Sequence, residues 1–286
     1  PDDQPPPTTF AALVFGCVAV LRSRGLRVPA VSVRVSSTVP LGAGLSSSAA
    51  LTVATLRALR HLVGARLSDT ELALCARDVE RTQLGVQIGV LDPMAVSLCQ
   101  PERMLLLDTR DLSYRQLPLP ADSEVVVVHS GTRRELKGTA YNERRQECVQ
   151  AARQLGVGSL REVTDHGRAA TLPDPLARRV RHVLGENRRV RAAAGASAPA
   201  FGTLMRESHA SLRDDYEVST PALDALAAAL DAQADTFGAR LTGAGFGGAC
   251  VALVRRGSGR RVAAAALRSF AAAGYSGRQL VPPEDA

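Results

Sequence analysis

The chain has 286 residues, of which 45% are hydrophobic but only 3% aromatic, with no tryptophan and a formal net charge of +7. All but one of its 35 basic residues are arginine, Lys137 being the exception, and they are scattered along the chain. With so few rings for bases to stack on, this argues against nucleic acid and for a mild attraction to anionic substrates. No uncharged apolar run of about 18 residues is present, so no membrane-spanning helix is expected, and the length suits one large or two moderate domains.

The opening PDDQPPPTTF lacks a basic stretch leading into an apolar core and is not expected to act as a signal peptide. Residues 10–24 carry a helical apolar pattern through Phe10, Leu13, Val14, Val18 and Leu21. VSVRVSSTV at 31–39 alternates, with Val31, Val33 and Val35 on one face, and predicts a half-buried strand. A Gly/Ser loop follows, then a helix over 49–62. A second helix opens on Ser68 with Glu71 three residues on, a capping box, and runs toward Gly85.

RMLLLDTRDLSYRQLPLP and EVVVVHSG predict strands of one sheet. Charged helices follow over 140–156 and 174–194, and a further helix over 220–233. A glycine-rich turn at 243–248 then feeds an apolar strand, and a closing helix spans 258–274. The order predicts an α+β fold of two domains, 1–136 and 137–286. Five widely spaced cysteines, Cys17, Cys75, Cys99, Cys148 and Cys250, form no CxxC pair. They are expected as buried free thiols in a reducing, cytoplasmic setting. The five histidines show no metal-binding spacing.

PLGAGLSSSAA, residues 40–50, carries the most chemistry. Gly42 and Gly44 permit left-handed backbone and close approach to a ligand. Ser46, Ser47 and Ser48 stand where the next helix begins, so its free N–H groups and positive dipole end favour an anion. The hydroxyls add donors, and a serine oxygen is a hard ligand of the kind Mg²⁺ takes. The stretch therefore predicts a phosphate cradle of Gly42, Ala43, Gly44, Leu45 and Ser46–Ser48, distinct from a Walker loop because no GK[ST] follows.

That stretch resembles the second motif of the GHMP kinases. GVLDPMAVSL at 89–98, SGTRRELKGTAYNERRQEC at 130–148, SHASLRDDYEVSTPALDAL at 208–226 and LTGAGFGGACVAL at 241–253 narrow the likeness to their galactokinase branch. The resemblance covers residues 10–254. It implies a two-domain GHMP kinase fold with a ferredoxin-like α+β C-terminal domain. It implies transfer of the γ-phosphate of ATP to the anomeric hydroxyl of α-D-galactose, giving galactose 1-phosphate.

By the same likeness Asp92 takes the family's catalytic, sugar-facing aspartate position, although Pro93 stands where the family has glutamine. Glu80 and Ser48 match its Mg²⁺ ligands, and Tyr141 a tyrosine that meets the sugar. Gly243, Gly245 and Gly247 belong to the third motif. On the residues alone, Asp92 also fits a turn aspartate before Pro93, Glu80 a solvated helix residue, and Tyr141 a packing aromatic. Asp214 and Asp215 are read as structural, because consecutive helix residues do not face one another.

The family's first motif, of the form GRVNLIGEHTDYNGG, has no counterpart here, so the resemblance implies an incomplete N-terminal domain. That motif grips the sugar, which leaves open another GHMP sugar kinase or a catalytically idle sugar or nucleotide sensor. The partners expected are ATP and a small sugar, with no nucleic acid and no membrane, and the chain is expected as a monomer.

Overall fold

A computed structural model describes residues 9–85, 88–132, 139–164 and 166–283. The chain separates into two compact units. Residues up to 41 together with 45–118 make the first, and residues 42–44 together with those from 119 onward make the second.

The first unit is built on four helices: α1 (Thr9–Ser23), α2 (Ser47–Leu62), α3 (Asp69–Leu84) and α4 (Leu91–Leu98). Their apolar faces share one core. Leu13, Cys17 and Leu21 of α1 meet Val53, Leu56 and Leu59 of α2 and Leu72, Cys75 and Val79 of α3, all buried. The start of α3 is the capping box read from the sequence. The Ser68 hydroxyl accepts from the Glu71 N–H, and the Glu71 carboxylate accepts from the Ser68 N–H at 2.7 Å. Gly85 ends the helix in the left-handed region, with φ 65°. A hairpin of β1 (Arg103–Leu107) and β2 (Tyr114–Pro118), paired from Arg103↔Pro118 to Leu107↔Tyr114, packs Leu105 and Leu107 against Met94 of α4.

The second unit is organised by a four-stranded antiparallel sheet of β3 (Ser123–His129), β4 (Thr236–Leu241), β5 (Ala249–Arg255) and β6 (Arg278–Val281), in the order β4-β5-β3-β6. Helices α5 (Thr139–Leu155), α6 (His166–Ala170), α7 (Leu176–Ala193), α8 (Ala198–Asp214) and α9 (Pro221–Asp231), with a short 3₁₀ turn at Leu160–Glu162, lie between β3 and β4. Helix α10 (Gly259–Ala272) joins β5 to β6. This is the ferredoxin-like order, in which the first strand lies between the third and the last.

The run EVVVV is continuously apolar because β3 is covered on both faces. Val126 and Val128 enter a core with Leu226 and Leu230 of α9 and Phe270 of α10, and Val125 packs with Met205 of α8 and Val251 of β5. Among the described residues, no helix is long and apolar enough to cross a membrane.

Two sequence expectations change, and the strands read at 103–120 and at 124–131 stand in two sheets rather than one, since β1 and β2 pair only with each other. Residues 31–39 form no strand, and Val31, Val33 and Val35 are 37–42% exposed. Alternation alone makes no strand, because each backbone N–H and C=O needs a neighbour to pair with. Asp92 is not in a strand end or turn. It lies in the first turn of α4, where Pro93 loses nothing by lacking an N–H, since no residue of that turn has an intrahelical acceptor. The domain boundary read at 136/137 lies within residues 133–138, outside those described. By contact the units divide after Pro118, because β3 is hydrogen-bonded to both β5 and β6.

Helix α8 approaches β4 so closely that two glycines face each other. A Cβ on Gly202 would lie 1.9 Å from the Phe237 carbonyl oxygen, and one on Gly238 would lie 2.1 Å from that of Gly202. Both obstacles are backbone, which moves only with its whole element. Gly202→Ala is therefore expected to lose about 3 kcal/mol or more of stability. The loss should appear as a lower urea midpoint with an unchanged m value.

Candidate active site

In the first unit the site is built where α2 begins. Ser46 precedes the helix in the left-handed region, φ 53° and ψ 40°, and makes no side-chain cap. A capping serine needs extended backbone to aim its hydroxyl at the first amides, and the left-handed turn denies it that. For a serine this conformation costs roughly 1–2 kcal/mol. The first helical bond runs from the Ala50 N–H to the Ser46 carbonyl at 2.9 Å. The amides of Ser47, Ser48 and Ala49 thus lie ahead of the ladder, in a first turn without any acidic side chain. Such an end favours an anion.

Glu80, on α3, is only 3% exposed. The Ser48 hydroxyl donates to its Oε2 at 3.3 Å, and the Thr52 hydroxyl lies 3.4 Å from its Oε1. Ser48 and Thr52 are four residues apart on α2, so both reach the same side. Thr52 is completely buried, and its hydroxyl also lies 3.0 and 3.1 Å from the Ser48 and Ala49 carbonyls. Burial, with the charge of Asp92 as a further contribution, pushes the Glu80 carboxyl up to about 7 against the pull of the two hydroxyls. The buried Cys17 thiol, 3.7 Å from the Thr52 carbonyl, is pushed up to about 12, first by desolvation and then by the charges of Cys75 and Glu80.

Among the described residues, no cluster of three or more His, Cys, Asp or Glu side chains could hold a metal ion. The Ser48–Glu80 pair fits one of another kind. Neighbouring oxygens in an octahedral Mg²⁺ shell lie about 3 Å apart, close to the spacing of this hydroxyl and carboxylate. A carboxylate held only by hydroxyls has charge left to share. The sequence singled out Ser48 and Glu80, but not Thr52 or Cys17, whose part depends on the packing of α1 and α2 on α3. Asp92 is exposed, and its charge acts on Glu80.

Gly42, Ala43 and Gly44 belong by contact to the second unit. The glycine-rich turn between β4 and β5 is also there, with Gly243, Gly245, Gly247 and Gly248 all at positive φ, as is Phe246 at 59°. A Cβ on Gly44 would lie 3.9 Å from both the Ala249 nitrogen and the Thr242 oxygen. At Gly245 only glycine fits, since a Cβ would lie 2.2 Å from the Val218 carbonyl oxygen, which accepts the Phe246 N–H at 2.8 Å.

SHASLRDDYEVS supports that turn. His209 Nδ1 accepts the Leu241 N–H at 3.2 Å, and its Nε2 lies 3.2 Å from Asp224. Asp214 and Asp215 turn to Arg213 and Arg181, which agrees with a structural reading. Tyr141 is half-buried in the first turn of α5. That helix is fixed by the completely buried Arg179 of α7, which donates to Glu147 and Glu217 at 2.6 Å each.

Comparison with known proteins identifies the family. Residues 12–100 match the family model of the GHMP kinase N-terminal domain, and residues 191–273 that of the C-terminal domain. Over 257 residues the chain is 46% identical to a galactokinase of Roseiflexus sp., covering 86% of this chain and 66% of that protein. It is 40% identical over 278 residues to a galactokinase of Mycobacterium bovis, covering 94% and 76%. The Lactococcus lactis galactokinase complexed with galactose superposes with a TM-score of 0.85 at 29% identity, over 98% of this chain and 75% of that one. Streptococcus pneumoniae phosphomevalonate kinase, at 15% identity and a TM-score of 0.60, shares the fold. The chain thus spans about two thirds to three quarters of the length of the galactokinases it matches.

A glutamate in water ionises near pH 4.3. With a folded value near 7, Glu80 keeps a proton that the unfolded chain gives up. Its contribution to stability is therefore full below about pH 4 and is lost as pH rises to 7. Glu80→Gln should stabilise the ligand-free protein relative to wild type at pH 8 by about 3–4 kcal/mol, read as a higher melting temperature. The difference should vanish near pH 4, and melting curves across that range check it.

Proposed function

Since the chain belongs to the galactokinase family of the GHMP kinases, whose members are ATP-dependent sugar kinases, we propose that its protein phosphorylates α-D-galactose at the anomeric oxygen. The observation that carries the reading is the buried Glu80 carboxylate hydrogen-bonded to Ser48 at the start of α2, with the charge of Asp92 bearing on it. This arrangement lies wholly within the first unit, and a purely structural helix pair would have no use for it.

In this reading the amides at the start of α2 and the stretch Gly42–Ser48 receive the phosphates of ATP. A helix terminus offers them fixed N–H donors that need no reorganisation as charge moves. Ser48 and Glu80 would hold Mg²⁺, which neutralises charge on the phosphate oxygens when bound. Glu80 must then give up its proton, so metal binding strengthens as pH rises through 7.

Asp92 takes the proton of the sugar hydroxyl as its oxygen bonds to the γ-phosphorus. The bond from that phosphorus to the β,γ-bridging oxygen breaks, and ADP leaves with the electron pair. An exposed aspartate in a first helical turn is accessible to substrate, as a base must be. Tyr141 is assigned to the sugar, and Gly243, Gly245 and Gly247 to the loop that closes on the phosphates. The protein works in the cytoplasm as a monomer on small molecules, a setting that suits its five free thiols.

Asp92→Asn keeps size and shape but cannot accept the proton. It is expected to lower kcat by about 10²- to 10⁴-fold while Mg·ATP binding, measured by calorimetry, is retained. ATP binding with no turnover of any sugar by the wild-type protein would instead favour an idle sensor.

A further inference from the structure

The C-terminal end of β3, His129-Ser130-Gly131-Thr132, is joined to the third-motif glycine turn of the second unit. The β3–β5 ladder continues one step past its last strand pair. The Ser130 N–H donates to the Gly248 carbonyl at 2.8 Å, and the Gly248 N–H donates to the Thr132 carbonyl at 3.0 Å. The Ser130 hydroxyl adds a second bond to the same Gly248 oxygen, also at 2.8 Å, and Ser130 is only 3% exposed. Gly248 is the last glycine of the third-motif turn, and it abuts the phosphate stretch. A Cβ placed on it would lie 3.7 Å from the Ala43 oxygen and 3.9 Å from the Gly44 Cα.

His129, at 8% exposure, fixes the turn that follows it. Its Nδ1 accepts the Gly131 N–H at 3.0 Å, which leaves the ring proton on Nε2. The turn permits no other residue at Gly131. Its φ is 75°, and a Cβ would lie 2.0 Å from the Ser276 oxygen.

We propose that His129 and Ser130 are positioning residues for the nucleotide, a clamp at the end of β3 that holds the Gly243–Gly248 turn in register beside Gly42–Gly44. The physical need is plain. Six glycines in two loops lower the cost of positive φ but raise the entropy of both loops. An ATP site that had to order them on binding would lose affinity by that amount. The ring and the hydroxyl meet part of that cost during folding. This assignment rests on the galactokinase reading.

The test compares wild-type, His129→Leu, His129→Gln and Ser130→Ala full-length proteins in Mg·ATP calorimetry and steady-state kinetics with galactose. His129→Leu is expected to raise KM for ATP about tenfold, the effect of one lost hydrogen bond, with KM for galactose unchanged. His129→Gln, whose amide oxygen can still accept the Gly131 N–H, should restore most of it. Ser130→Ala should raise KM for ATP a few-fold, since its N–H remains. In the ligand-free variants, hydrogen exchange should quicken at Gly131 and Gly248 while Val126 and Val128 stay protected. Variants that keep the wild-type KM for ATP, or that shift both KM values together, would overturn the clamp alone. A wild-type protein that neither binds Mg·ATP nor turns over galactose overturns the kinase reading, and the clamp with it. Should His129→Leu fail to fold, His129→Gln and Ser130→Ala decide the matter by the same measurements.

Discussion

A carboxylate taken out of water and given only hydroxyls for company is the constraint on which this structure turns. Glu80 is almost completely buried, and its hydrogen bonds to Ser48 and Thr52 are long, at 3.3 and 3.4 Å. Two neutral donors do not offset the loss of hydration of a full negative charge. The group therefore keeps a proton to a pH where carboxylates are normally bare, and it remains short of positive charge. A protein selected for stability alone would put leucine or glutamine there. In the proposed reading, a glutamate there would concentrate affinity for a cation at one point, beside a helix end that favours an anion.

The helices around it make that arrangement rigid. Helices α2 and α3 meet through Val53, Leu56, Leu59, Leu72 and Val79, and α1 closes the third side. With their axes held by that core, Ser48 and Thr52 can address Glu80 only from the one face they share. The left-handed Ser46 belongs to the same design. It denies the helix its own cap and leaves the first amides for a ligand, which is the place where backbone strain is expected to be stored.

The second unit solves a different problem, which is to give shape to loops that glycine makes soft. Its sheet is ordinary, with covered faces and antiparallel registers. What it supplies to chemistry lies at one end, where β3, β4 and β5 run out together. There the Val218 carbonyl, the His209 ring and the end of β3 each take a backbone group of the third-motif turn or its flanks. SHASLRDDYEVS is thus a support whose own charges are neutralised locally, with Arg179, Arg181 and Arg213 closing on Glu217, Asp215 and Asp214.

Local signals were legible from residues alone. The capping box at Ser68, the apolar periods of α1 and α3, the uninterrupted apolar run of β3 and the glycine-serine entry to α2 need only near neighbours to act. Glu80 was legible through resemblance only, because a glutamate in a helix reads the same whether it faces water or a core. The unpaired stretch 31–39, the helical setting of Asp92, the short strand β6 and the parts played by Thr52 and Ser130 were settled by tertiary structure. Each depends on a partner tens of residues away: a neighbouring strand, a carboxylate on another helix, or a carbonyl across a loop. Spacing along a chain fixes which side chains share a face, whereas the desolvation and hydrogen bonding that give a face its chemistry exist only once distant segments are packed against it.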